Sequence, residues 1–180
     1  EADLDYKGAC EYGRQQAGPK LRSMSIHERA FKIKFLAQYL LERKEDYYEL
    51  STHTGATRQD SWIDIEGGIG SMFTLSSKSR IELSDLPYHV EGSHERLSRE
   101  GTFVGQHICV PRHGVAVHIN AFNFPVWGML EKLAPAIISG MPAIIKPAPT
   151  GSYLAYKVFE DMIESQLLPE GAIQFIAADK

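Results

Sequence analysis

A chain of 180 residues with 43% hydrophobic and 23% charged side chains can bury a substantial core and has the mix of an ordinary globular domain. Its formal charge of -4 argues against nucleic-acid binding, which calls for a basic patch. Two cysteines, Cys10 and Cys109, make no disulfide framework, and no apolar run could span a bilayer, so a cytoplasmic location without a membrane partner is expected.

The first part of the chain reads as helices. In SIHERAFKIKFLAQYLLERKEDYYEL, Ser25 followed by Glu28 forms a capping box. Ile26, Ala30, Ile33, Ala37, Leu40 and Leu41 recur near the helical period and make one apolar face, with Lys32, Arg43, Lys44 and Glu45 on the solvated side. Gly55 in THTGATR is the stop signal, and another helix follows through QDSWIDIEGGIGSMFTLSSKS. Its Gly67, Gly68 and Gly70 lack the preceding strand and the Lys-Ser or Lys-Thr of a phosphate loop, and read instead as points of close packing.

The texture changes in LPYHVEGSHERLSREGTFVGQHICVPRHG, where short β-type runs separated by Gly and charge suggest exposed strands or a hairpin. His89, His94, His107, His113 and His118 are not at metal-ligand spacing and read as surface residues, so no metal is expected. From Gly114 the pattern is strand, helix, strand, helix, strand. GVAVHI reads as a strand buried on both faces, and FPVWGMLEKLAPAIISG as a helix stopped by Gly140, with Pro135 a point where it could kink. PAIIK is the next strand. GSYLAYKVFEDMIESQ is a helix with Ser152 as its cap and Leu154, Val158, Met162 and Phe159 toward the core, and AIQFIA is the third strand. This alternation predicts parallel strands joined by right-handed crossovers, an α/β fold. Three strands make a short doubly wound sheet, which suggests the front of a longer protein.

In such sheets ligands sit beyond the carboxyl ends of the strands. Two loops reach that edge: NAFNFP after the first strand and KPAP after the second. Pro125 suits the first turn of the following helix, where no N–H is needed. Asn123 just before it is either a cap or turn residue, or a neutral donor aimed at developing negative charge, with Phe122 and Phe124 keeping water away. Lys146 is either a solvated strand end or a donor to ribose hydroxyls or phosphate. Pro147 and Pro149 remove backbone donors from its loop.

INAFNFPVWGMLEKLAPAIISGMPAIIKPAP and LLPEGAIQFIAAD resemble the aldehyde dehydrogenase superfamily, with its Pro-Trp-Asn-Phe-Pro turn, Ala-Pro-Ala helix and Lys-Pro-Ala strand end. TGATRQDSWIDIEGGIGSMF and EGTFVGQHICVPRHGVAVHI are similar to one subgroup, the dehydrogenase part of phenylacetate-pathway ring-opening proteins, which oxidise a CoA-linked semialdehyde. The semialdehyde dehydrogenases of the benzoyl-CoA epoxide pathway are a close alternative.

The resemblance implies an N-terminal portion of that fold. Residues 1–86 would be the helical part of the cofactor-binding domain, 87–112 bridging strands for homo-oligomer contacts, and 113–180 the first βαβαβ of a Rossmann-like sheet. It implies that Asn123 donates to the oxyanion. Ile119, Asn120, Ala121 and Phe122 would line the nicotinamide half of the cofactor channel, and Lys146, Ala148 and Pro149 the ribose. Many members carry a Glu where Pro149 stands; its absence removes a charge that would repel a 2′-phosphate, so NADP is expected in preference to NAD. Ala121 and Phe122 replace the family's Pro and Trp. The family's nucleophilic Cys and general-base Glu lie beyond the matching stretch, so the 180 residues alone are expected to be inactive. The alternative is a non-catalytic scaffold acting through subunit contacts.

Overall fold

The computed structural model describes residues 4–178. Helix α1 (Tyr6–Tyr12) passes through a π-helical stretch (Gly13–Ala17) into α2 (Gly18–Ser23). Helix α3 (Ile26–Leu41) starts at the expected capping box: the Glu28 N–H donates to Ser25 Oγ at 3.1 Å and the Ser25 N–H to Glu28 Oε2 at 2.7 Å. The helical pattern then divides. The Arg43 N–H bonds back to Leu40 O, tightening the last turn, and a separate helix α4 (Lys44–Ser51) begins. The break lets α4 bury both Tyr47 and Tyr48, and the Tyr47 hydroxyl donates to Asp161 at 2.7 Å. Gly55 adopts φ 81°, a left-handed conformation that suits glycine, before α5 (Arg58–Glu82), which opens on a Thr57–Asp60 capping box.

Strands β1 (His89–Arg96) and β2 (Val104–Cys109) form an antiparallel ribbon with most residues exposed. The remainder alternates as expected: β3 (Ala116–Ile119), α6 (Trp127–Ile138), β4 (Ala143–Lys146), α7 (Ser152–Glu164) and β5 (Ile173–Phe175). The three strands are parallel in the order β3-β4-β5. Two right-handed crossovers stepping the same way along a sheet place α6 and α7 on one face. That face meets the helical layer, and one core runs through both, from Leu36 and Leu40 on α3 and Ile65 and Met72 on α5 to Leu130 on α6 and Leu154 on α7.

Buried Arg29 ties this core together. Its guanidinium donates to the carbonyls of Ile138 at 2.7 Å, Leu21 at 2.9 Å and Met24 at 2.7 Å, so the open C-terminus of α6 is capped by a cation from α3. Burial lowers its pKa to about 10, which still leaves it charged at neutral pH. The core also explains two of the α5 glycines. A Cβ on Gly67 would meet the Trp127 ring at 2.3 Å, and one on Gly68 the Trp127 Cα at 2.8 Å; Gly70 has open space.

Four expectations are corrected. Among the described residues strand β3 is covered on one face, not both: Val117 is 59% and Ile119 72% exposed, and the two crossover helices lie on the opposite side. Ser152 does not cap α7; Gly151, at φ 81°, occupies that position and Ser152 is the first helical residue. Lys32 is not simply solvated, since its ammonium donates to Leu167 O at 2.9 Å. His118 is buried beside α6 with Nδ1 unpartnered among the described residues, and its pKa is lowered by burial and by the charge of Lys132.

Candidate functional site

Strands β3 and β4 end level with one another. Ile119 pairs with Lys146, and the Asn120 N–H donates to Lys146 O at 3.0 Å. The loops that follow therefore leave the same edge of the sheet, and they lead to two different depressions.

The first depression lies on the uncovered sheet face. It holds about 350 Å³ and is lined by Ile119 and Lys146 with Val117, Ile144 and Ile176, flanked by Tyr6 and Cys10 of α1. Among the described residues the Lys146 ammonium makes one long bond, 3.4 Å to Pro147 O, which leaves donors for a hydroxyl or phosphate. Ala148 is half-buried and Pro149 exposed on the loop beyond. The Asn120 side chain is turned away: it is buried, and its Oδ1 and Nδ2 are unpartnered among the described residues, so its backbone alone reaches the edge.

The second depression contains Asn123. It holds about 280 Å³ between the Asn123 loop, the start of α5 and the loop before α7, and is lined by Phe122, Pro125, Ser61, Asp64, Thr150 and Gly151 among others. Asn123 is exposed here. The open question of its capping role is answered by Asp64, a buried carboxylate on α5. It accepts from the Trp127 N–H at 2.7 Å and from the Val126 N–H at 3.2 and 3.3 Å. The Gly128 N–H bonds to Phe124 O at 2.9 Å, so the helical ladder already includes Pro125 in its first turn. Asp64 thus supplies the cap from outside the helix, and the Asn123 carboxamide is left for other partners. Burial raises the Asp64 pKa to about 6, opposed by the two N–H bonds.

Phe122 and Phe124 were expected to exclude water, but they are 68% and 41% exposed. Phe124 packs edge-on to Trp127 at 6.2 Å rather than over Asn123. Cys10 and Cys109 are exposed thiols on α1 and β2, and neither lines the Asn123 cavity. The site thus brings Asn123 together with Phe122, and Ile119 with Lys146, but in separate hollows. Asp64 escaped the sequence reading. Its signal was a carboxylate on the otherwise small and apolar stripe Ser61, Asp64, Ile65, Gly68, Ile69 and Met72, where a charge must find donors.

The model of the aldehyde dehydrogenase family matches residues 3–180. The chain belongs to the aldehyde dehydrogenase family. Among characterised relatives, it is 38% identical over 176 residues to the 3,4-dehydroadipyl-CoA semialdehyde dehydrogenase of Aromatoleum evansii, covering 96% of this chain and 34% of that protein. It is 28% identical over 160 residues to the 3-sulfolactaldehyde dehydrogenase of Priestia megaterium (strain ATCC 12872 / QMB1551), covering 87% and 32%. The chain therefore spans about a third of the length of these relatives. Solved structures share the fold. PnpE in complex with nicotinamide adenine dinucleotide superposes with a TM-score of 0.80 at 21% identity, over 98% of this chain and 34% of that one. A lactaldehyde dehydrogenase gives 0.74 at 17%, over 97% and 34%. This family chain is α/β as expected, and among its described residues no helix is long and apolar enough to cross a membrane.

Proposed function

We propose that this aldehyde dehydrogenase chain is the N-terminal part of a cytoplasmic, NADP-dependent enzyme that oxidises a CoA-linked semialdehyde to the acid in aerobic aromatic catabolism, that of phenylacetate. The observation that carries the reading is the exposed Asn123 carboxamide at the mouth of a cavity, relieved of capping by Asp64. A neutral amide can donate to an oxygen that becomes negative during attack on a carbonyl, and it neither repels that charge nor holds the product as a cation would. The 38% identity to a CoA-semialdehyde dehydrogenase supports the substrate class.

The residues fit a nicotinamide cofactor. The half-buried Lys146 ammonium, with donors to spare on an open sheet face, suits ribose oxygens, with Ala148 and Pro149 beside them. Ile119 and the backbone of Asn120, Ala121 and Phe122 lie at the switch edge where the nicotinamide half would run. When bound, the cofactor accepts the two electrons released on oxidation. The residues of this chain bind it, orient the aldehyde and stabilise the oxyanion. The nucleophile would come from outside the 180 residues.

The subunit role falls to residues 87–112. The β1–β2 ribbon exposes Phe103, Val104 and Ile108, which supports pairing between copies in a homo-oligomer. Residues 1–86 and 113–180 are read as the helical and Rossmann-like parts of the cofactor-binding domain.

Removing one oxyanion donor typically costs about 3–4 kcal/mol of transition-state stabilisation. In the full-length protein, Asn123→Ala should lower kcat by about a hundredfold or more and leave the cofactor Kd within about threefold. A wild-type kcat in that variant rejects the role. A second reading, favoured by the relative named for 3,4-dehydroadipyl-CoA semialdehyde, is the shorter acyl chain of benzoyl-CoA degradation. Comparing kcat/KM for that aldehyde and for 3-oxo-5,6-dehydrosuberyl-CoA semialdehyde separates the two: a preference for the suberyl compound supports phenylacetate catabolism.

A further inference from the structure

We infer that Asp64 is a positioning residue for Asn123, fixing from helix α5 the turn that presents the carboxamide to substrate; this rests on the oxyanion role proposed above. The geometry is direct. Asn123 lies three residues before Val126 and four before Trp127, the two residues whose N–H groups the Asp64 carboxylate holds at 2.7 to 3.3 Å. Between them, Pro125 has its φ fixed by its ring, and Phe124 O is held by the Gly128 N–H at 2.9 Å. The Phe124–Pro125 and Pro125–Val126 peptide units are therefore held, and one peptide unit, Asn123–Phe124, separates Asn123 from this fixed segment.

The anchor itself is rigid. Asp64 is 5% exposed, and one helical turn further on Gly68 brings the backbone of α5 against that of Trp127. Asp64 also lines the cavity that Asn123 faces. A carboxylate so placed would oppose an oxyanion if it pointed at one. Here its oxygens are spent on two backbone donors, and the neutral amide is what the cavity presents. Loss of the carboxylate would leave two buried N–H groups without a partner, and they would be satisfied by water or by a shift of the turn. Displacing a catalytic donor by about 1 Å can cost about a hundredfold in rate.

The test is a double-mutant cycle in the full-length protein. Asp64→Ala should lower kcat by about tenfold or more, and Asp64→Asn, which keeps one acceptor oxygen, by about threefold to tenfold. In both, the cofactor Kd from calorimetric titration should stay within about threefold of wild type. In an Asn123→Ala background each substitution should cost less than half the logarithm of its loss in the native background, because the group it positions is gone. If Asp64→Ala does not fold, the Asp64→Asn arm carries the cycle alone. Loss in the Asn123→Ala background of more than half the logarithm of the loss in the native background overturns the inference, as does an unchanged kcat in Asp64→Asn and Asp64→Ala. Those results leave the oxyanion role of Asn123 standing. A wild-type kcat in Asn123→Ala by itself overturns both.

Discussion

Pro149 and Asp64 each have a consequence that a single substitution can measure. Pro149 sits exposed in the loop after Lys146. At the proposed cofactor site a carboxylate there would face the ribose and repel a 2′-phosphate, so on that proposal Pro149→Glu in the full-length protein should lower kcat/KM with NADP by about tenfold or more and spare that with NAD. An unchanged NADP/NAD ratio would mean that this loop does not meet the ribose. Asp64 has a linkage consequence. With its pKa raised by burial to about 6, the folded protein holds the proton more tightly than the unfolded chain does. The associated stability is full below about pH 4 and is lost as pH rises through about 6. Asp64→Asn cannot titrate, so the stability of wild type relative to this variant should fall by about 2 kcal/mol between pH 4.5 and pH 7.5 in denaturant unfolding. A pH-independent difference would place the carboxyl in water.

At the scale of elements, α5 and α6 touch through backbone where glycine permits it. Gly68 has no room for a Cβ, since the Trp127 Cα would be 2.8 Å away, whereas Gly70 has nothing within 4 Å. Gly70→Ala should stabilise the protein by about 0.5–1 kcal/mol through helix propensity. Gly68→Ala should destabilise it by about 1–3 kcal/mol despite the same gain, because the two helices must part. Thermal unfolding of the pair reads this directly, and equal shifts would reject close packing at Gly68. Local signals marked most element ends: the Ser25–Glu28 box, the left-handed Gly55 and the Gly140 stop at φ 81° all act within a turn of their own residue. The break at Glu42–Arg43 carried no such mark. It accompanies the bond from Tyr47 to Asp161 on α7, 114 positions away.

For the molecule as a whole, the uncovered sheet face and the separation of the two hollows matter most. Ile119 and Lys146 open onto that face and Asn123 onto a different cavity, so the proposed cofactor and substrate would have to bridge between them. Neither Cys10 nor Cys109 lines the Asn123 cavity, and the chain spans about a third of its relatives. The purified 180-residue chain should therefore show no aldehyde oxidation with NAD or NADP above a blank, in an assay where the full-length protein turns over; measurable turnover would assign the nucleophile to this chain.

What the amino-acid order determined by itself was local: helix starts and stops, the βαβαβ alternation, and an Asn-Phe-Pro turn placed to meet a ligand edge. Those features follow from propensity, capping and periodicity, which act over a few residues. The tertiary structure alone decided which groups stand free. Asp64 took over the cap of α6, Arg29 took over its C-terminus, Asn120 turned inward, and β3 lost the cover its apolar run had suggested. Hydrogen-bond partners of buried groups and the faces of a strand are settled by residues distant in the chain, and a single sequence read in order carries no record of who those partners are.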